Sequence, residues 1–122
     1  MNRLITIIIL LCLPVVSFAE IYSCTGRKDA SVIKLNGSWG SISGDDNETM
    51  IVDTSRGFRP NSTWDDYIGR CERIGDSGFK CIADIGTYWI LWIAELDGAI
   101  DFSLANTSYW WINAHGGTCV KI

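Results

Sequence analysis

One histidine, two acidic pairs and five cysteines are the groups in this 122-residue chain whose types could do covalent or metal chemistry. His115 lies in Asn113-Ala114-His115-Gly116-Gly117, and it is the one side chain whose ordinary pKa falls near neutrality. A hydrolytic triad needs an imidazole beside a nucleophile and an acid. No Gly-x-Ser-x-Gly elbow accompanies this one, and its glycine neighbours place it in a solvated turn. Asp45-Asp46 and Asp65-Asp66 are adjacent in sequence, whereas a glycosidase needs carboxylates on opposite sides of a cleft; solubility is their expected role. Asp45, Asp46, Asn47 and Glu48 gather oxygen ligands in one turn, without the spacing of the 12-residue calcium loop. One histidine with no Cys-x-x-Cys pair makes a poor zinc site. The expectation is therefore a protein with no catalytic residue, no resident metal and no cofactor.

The cysteines read better as staples. Cys12 falls inside an N-terminal apolar run, and Cys24, Cys71, Cys81 and Cys119 remain. Four cysteines allow three pairings. Cys71 and Cys81 flank the turn sequence Ile74-Gly75-Asp76-Ser77-Gly78-Phe79, so they can face each other across a hairpin. Cys24 and Cys119 then pair near the two ends of the mature chain. With all four oxidised, no thiolate nucleophile is left.

Binding chemistry has more support. The stretch Arg56-Gly57-Phe58-Arg59-Pro60-Asn61-Ser62-Thr63-Trp64 puts two arginines and two aromatics on a polar segment of an acidic chain of net charge −4. Arginine and tryptophan dominate interface hot spots, and loops carry function disproportionately. Arg56, Phe58, Arg59 and Trp64 are thus candidate binding residues; the alternative pairs the arginines with Asp65 and Asp66 and sends Phe58 into the core. Six tryptophans are many for this length. Trp89 belongs to an apolar run and is expected in the core. Trp110 and Trp111 are neighbours, so a strand would point them to opposite faces, and the outward one is a candidate anchor for a protein or a sugar ring. Asn36, Asn47, Asn61 and Asn106 head Asn-x-Ser/Thr sequons, which a eukaryotic secretory pathway could glycosylate.

The elements that would hold these residues read as strands. Ser31–Leu35 and Ser38–Ile42 flank Asn36-Gly37, a two-residue turn signal. Thr49–Asp53 is a short strand, and Thr54–Asp66 is read as a loop. Tyr67–Ile74 and Phe79–Ile85 form the disulfide hairpin. Tyr88–Leu96 is apolar on both faces and is expected to be central and doubly covered. After Asp97-Gly98, Ile100, Phe102 and Leu104 alternate with polar residues. Ser108–Asn113 and Thr118–Ile122 complete the series, separated by Gly116-Gly117. Short strands at this spacing predict an all-β fold, a small antiparallel β-barrel or sandwich of about eight strands with two disulfides. A bond joining the two ends suits a barrel.

Residues 1–19 are expected to be a signal peptide. Arg3 precedes the uncharged apolar run Leu4–Phe18, and Ser17-Phe18-Ala19 supplies small residues for cleavage after Ala19. Residues 20–122 then form a single β domain, because about 103 residues leave no room for a second core. The mature protein is expected in the periplasm or secreted, with no membrane span. A strongly basic nucleic-acid binder is disfavoured by the net charge.

Tyr22-Ser23-Cys24 near the expected mature start and Gly117-Thr118-Cys119-Val120-Lys121-Ile122 at the end carry a resemblance. The chain resembles a broad group of small exported bacterial β-proteins, many without an assigned function. More loosely, its aromatic-x-Cys start, end-to-end cysteine pair and strand pattern are similar to periplasmic inhibitors of C-type lysozyme. Those are small antiparallel barrels that insert a loop into the lysozyme cleft. Their Ser-Gly-rich segment before Arg-Tyr and their later Trp-x-Lys-Gly have no counterpart here, so no inhibitory residue is carried over. The expected function is binding, not catalysis: a surface loop engages a protein partner, with a cell-wall hydrolase as one class. The alternatives are glycan binding on exposed tryptophans and a purely structural role.

Overall fold

The computed structural model of the protein describes residues 20–122, and the expected signal, 1–19, lies outside them. Nine strands follow one another: β1 (Ile21–Leu35), β2 (Ser38–Asp45), β3 (Thr49–Asp53), β4 (Gly57–Arg59), β5 (Arg70–Ile74), β6 (Gly78–Asp84), β7 (Tyr88–Leu96), β8 (Ala99–Thr107) and β9 (Trp111–Lys121). All pair antiparallel, in the order β4-β3-β1-β9-β8-β7-β6-β5, with β2 added beside β1. This is the expected all-β class, realised as a nearly closed barrel of eight strands. Among the described residues no helix is long and apolar enough to cross a membrane.

The ring closes on one seam. Phe58 and Ile68 exchange two backbone hydrogen bonds of 2.9 Å, among the described residues the one bridge between the β4 side and the chain entering β5. The seam depends on Gly57, whose φ of 108° is in the left-handed half of the map; a Cβ there would lie 2.2 Å from the Ile68 carbonyl oxygen. Period-2 alternation fills the interior. Phe102 and Leu104 of β8 and Leu91 and Ile93 of β7 point inward, joined by Met50, Val52 and Phe58. The expected hairpin turns are present at Asn36-Gly37 and Asp97-Gly98, where all four residues have positive φ.

Both expected disulfides are formed. Cys24 and Cys119 sit opposite each other in the β1–β9 register, and Cys71 and Cys81 in the β5–β6 register. Cys24, Cys81 and Cys119 are buried, so the bonds are part of the core. The Cys24–Cys119 link spans 95 residues of sequence, a loop whose closure is worth about 4–5 kcal/mol on the chain-entropy model. Next to it the segment that enters β1 is tied down. Glu20 accepts hydrogen bonds from Tyr22 Oη at 2.7 Å and Lys121 Nζ at 2.9 Å, and its backbone N–H donates to Thr54 Oγ1.

Three expectations need correction. His115 is not in a turn: β9 runs unbroken through Gly116-Gly117, because Gly117 lets β1 approach so closely that a Cβ would stand 2.1 Å from the Thr25 carbonyl oxygen. The stretch Thr54–Asp66 is not loop throughout, since Gly57–Arg59 forms β4 on the edge of β3. Strand β7 is not doubly covered, because a single-layer barrel offers no second sheet to pack on its outside. Tyr88 and Trp92 are exposed, and Lys80 Nζ stands 5.7 Å from the Trp92 ring.

Strand β1 changes partner midway. Its Ile21–Thr25 half pairs with β3, and its Lys28–Leu35 half, beyond an irregularity at Gly26–Lys28, pairs with β2. All eight residues of β2 are exposed, and its far edge has no strand partner among the described residues. This β1–β2 hairpin is a wing set beside one mouth of the barrel.

Candidate functional site

Register fixes which residues the wing shows on each side. Ile42, Ser31, Asn113, Asn106 and Trp89 are successive cross-strand partners of β2, β1, β9, β8 and β7. Partners in register share a face, and Asn106 is inside the barrel, so this row is the concave side. Ser41, Val32, Ile112, Thr107 and Tyr88 form the adjacent row, on the convex side.

The concave row leads into a cavity of about 180 Å³ at the barrel mouth. Its polar walls are Asp46, Glu48, Asn106 and His115, with Phe102 and Leu104 beneath. The β2–β3 turn delivers Asp46 there because the Asp46 N–H donates to the Arg27 carbonyl and the Gly26 N–H to the Glu48 carbonyl. Asp46 Oδ2 lies 3.2 Å from His115 Nδ1, and its Oδ1 accepts the Glu48 N–H at 2.9 Å. His115 is thus a half-buried, acid-paired strand residue and not a solvated one. Asp45 points away and pairs with Lys28, so the acidic turn does not converge on one point.

The Arg/aromatic stretch forms the opposite lip. Pro60 and Asn61 line the same cavity, and Trp64 packs edge-on against Trp89 with ring centroids 5.9 Å apart. Its four candidate residues are largely used internally. Phe58 is fully buried. Arg59 Nε donates to the Trp64 carbonyl at 2.7 Å, bracing the loop. The exposed Arg56 guanidinium sits 4.2 Å from the Tyr67 ring centroid. Neither arginine makes a salt bridge to Asp65 or Asp66 among the described residues. Asp53, beside Arg56, is held below the usual carboxylate range: its burial pushes the other way, but the hydroxyl and N–H of Ser55 and the Arg56 charge prevail.

Free aromatic surface lies on the convex side. Trp39 is 55% exposed, Trp110 64% and Tyr109 94%. Val32, Ile112 and Tyr88 are exposed in one row, whose β8 member is the half-buried Thr107. The Lys34 N–H donates to the Trp110 carbonyl, locking the Tyr109-Trp110 turn to the wing. Trp111, half-buried, faces the concave side with its partner Ile33. Trp110 is not on a strand as expected: it sits in the bend before β9 and is exposed, and Trp111 opens β9 half-buried; Arg56, Phe58, Arg59 and Trp64 fall elsewhere, around the mouth and seam.

Sequence reasoning did not single out Trp39, took Asp46 only as part of an acidic turn and Asn106 only as a sequon, and did not bring Asp46, Asn106 and His115 together. Asp46 and His115 meet across 69 residues, which no local pattern signals. Asn106 was within reach, since the inward positions Ile100, Phe102 and Leu104 continue to it by simple alternation. Compared with protein-family models, with curated proteins and with solved structures, the chain matches none.

Proposed function

We propose that this protein is exported, acts outside the cytoplasm by binding and not by catalysis, and captures a protein partner on the convex face of the β1–β2 wing. One observation carries the reading: Trp39, Val32 and Ile112 are exposed on the outward side of the neighbouring strands β2, β1 and β9, beside the exposed Tyr109-Trp110 turn. Patches of this kind mark interaction sites on soluble domains, and tryptophan and tyrosine are the residues that supply binding energy there. Export fits the two disulfides, which persist in oxidising compartments. The partner class to try first is an envelope or secreted hydrolase. The test is photo-crosslinking in envelope and secreted fractions, with a benzophenone amino acid placed in turn at Trp110, Trp39, Trp64 and Arg73. Adducts with one protein from positions 110 and 39, and none from Arg73 on β5, are expected. Adducts from position 64 alone would move the site to the loop at the barrel mouth and sink the wing reading. Glycan binding is the second reading, favoured by the nearly free Tyr109 and Trp110 rings. It predicts saturable quenching of tryptophan fluorescence by envelope glycans, removed by Trp110→Ala.

A further inference from the structure

Asn106, in the wall of the barrel-mouth cavity, carries a buried and unmet acceptor. Asn106 is 5% exposed, stands on the inward face of β8 and lines the cavity, and its Oδ1 has no hydrogen-bond partner among the described residues. Buried carbonyl groups left unpaired are uncommon and costly. The volume, about 180 Å³, is far above the about 10–15 Å³ that a single water needs.

The remaining walls narrow the chemistry. Asp46 and Glu48 add two carboxylates, and no lysine or arginine lines the space. The one basic group, His115, already has its Nδ1 against Asp46. Trp89 also lines the cavity, but its Nε1 donates to Thr87 Oγ1 at 2.7 Å, so the indole offers a ring and not a donor. An anion would meet two negative groups. A neutral hydroxyl would donate one hydrogen bond to a wall that offers several acceptors. A primary ammonium has three donors and no acceptor, forms its strongest hydrogen bonds with carboxylates and is attracted to an aromatic ring. Phe102 and Leu104 would take the alkyl stem behind it.

We propose that the barrel-mouth cavity binds a primary alkylammonium group, with Asn106 Oδ1 and the carboxylates of Asp46 and Glu48 as its acceptors. The group belongs to a free small amine or to a lysine side chain of a protein partner; the chemistry at the site is the same. This site faces the concave side and does not depend on the convex surface of the wing.

The experiment is an NMR titration of the disulfide-bonded exported protein, following the Asn106 side-chain amide and the Trp89 indole N–H. The probes are n-butylammonium, N-acetyl-lysine amide, n-butanol and butyrate. Saturable shifts are expected with butylammonium and not with butanol or butyrate. Asn106→Leu should weaken butylammonium at least about tenfold, the loss of a hydrogen bond to a charged group, and Asn106→Asp should tighten it. Equal binding of N-acetyl-lysine amide identifies a lysine side chain as the source, and binding of butylammonium alone identifies a free amine. If neither amine gives a saturable shift, or if butanol matches butylammonium, the proposal fails. The parent and Asn106→Asp titrations decide this even if the leucine variant does not fold.

Discussion

The barrel body and the β1–β2 wing share one strand, yet they treat apolar residues in opposite ways. In the body, β1 turns Tyr22 and Cys24 inward onto Val52, Phe58 and Leu91, and a disulfide joins it to β9. Past Gly26 the same strand leaves Val32 exposed, and its new partner β2 leaves Trp39 and Ile42 exposed. Apolar area that stays in water adds nothing to folding, and an open edge strand invites unwanted pairing. The wing manages that risk with charge: Lys28 and Asp45 pair at its root, and Lys34 Nζ lies 5.9 Å from the Trp39 ring centroid. A segment that is exposed, aromatic and guarded in this way adds little to stability, and recognition is the role we propose for it. The body supplies the rigid mount.

The largest expected effect therefore lies in the body. Leu91 is fully buried between Cys81 and Leu104 in the sheet register. Leu91→Ala should cost about 2–5 kcal/mol, the usual range for a buried leucine that leaves a cavity, read by denaturant unfolding under oxidising conditions. A loss below about 1 kcal/mol would mean that the core is less tightly packed than described and would blur the contrast with the wing.

A smaller effect should appear in acid. The hydrogen bond from Lys121, then that from Tyr22, hold the Glu20 carboxyl below its ordinary value of 4.5. The Tyr22 phenol is pushed up in turn, by burial first and by Glu20 second. A carboxyl whose folded pKa is depressed binds fewer protons folded than unfolded. Its contribution is complete above the ordinary carboxylate range and is lost as pH falls through the folded value. Asp53 acts in the same direction. Glu20→Gln should therefore be less stable than the parent at neutral pH, with the gap closing as pH drops below about 4. Unfolding midpoints across pH check this, and a gap independent of pH would remove Glu20 from the account of how the segment entering β1 is held.

Much of the body was legible from residues alone. Alternation at Ile100, Phe102 and Leu104, the Asn36-Gly37 and Asp97-Gly98 turns and the cysteine spacings all report local geometry, and each corresponds to what is observed. The errors came where tertiary approach overrides local signal. Gly116-Gly117 reads as a turn until Thr25 is seen against Gly117, and Gly57 reads as loop until the seam with Ile68 explains it. The candidate surfaces were harder to see. Arg56 and Arg59 stand out by type, but Tyr67 and the Trp64 carbonyl occupy them. Trp39 carries no local signal, because its exposure follows from β2 lying outside the ring, a fact of topology and not of spacing.

The most direct test of the division between body and wing is one variant measured twice. Trp39→Ser combined with Trp110→Ser removes the exposed tryptophan rings of β2 and of the turn bonded to the wing. The account predicts a change in unfolding free energy within about 0.5 kcal/mol, as for exposed substitutions generally, together with loss of capture of the protein partner crosslinked from position 110. Full capture by this variant, or a loss of stability as large as that of Leu91→Ala, would contradict it.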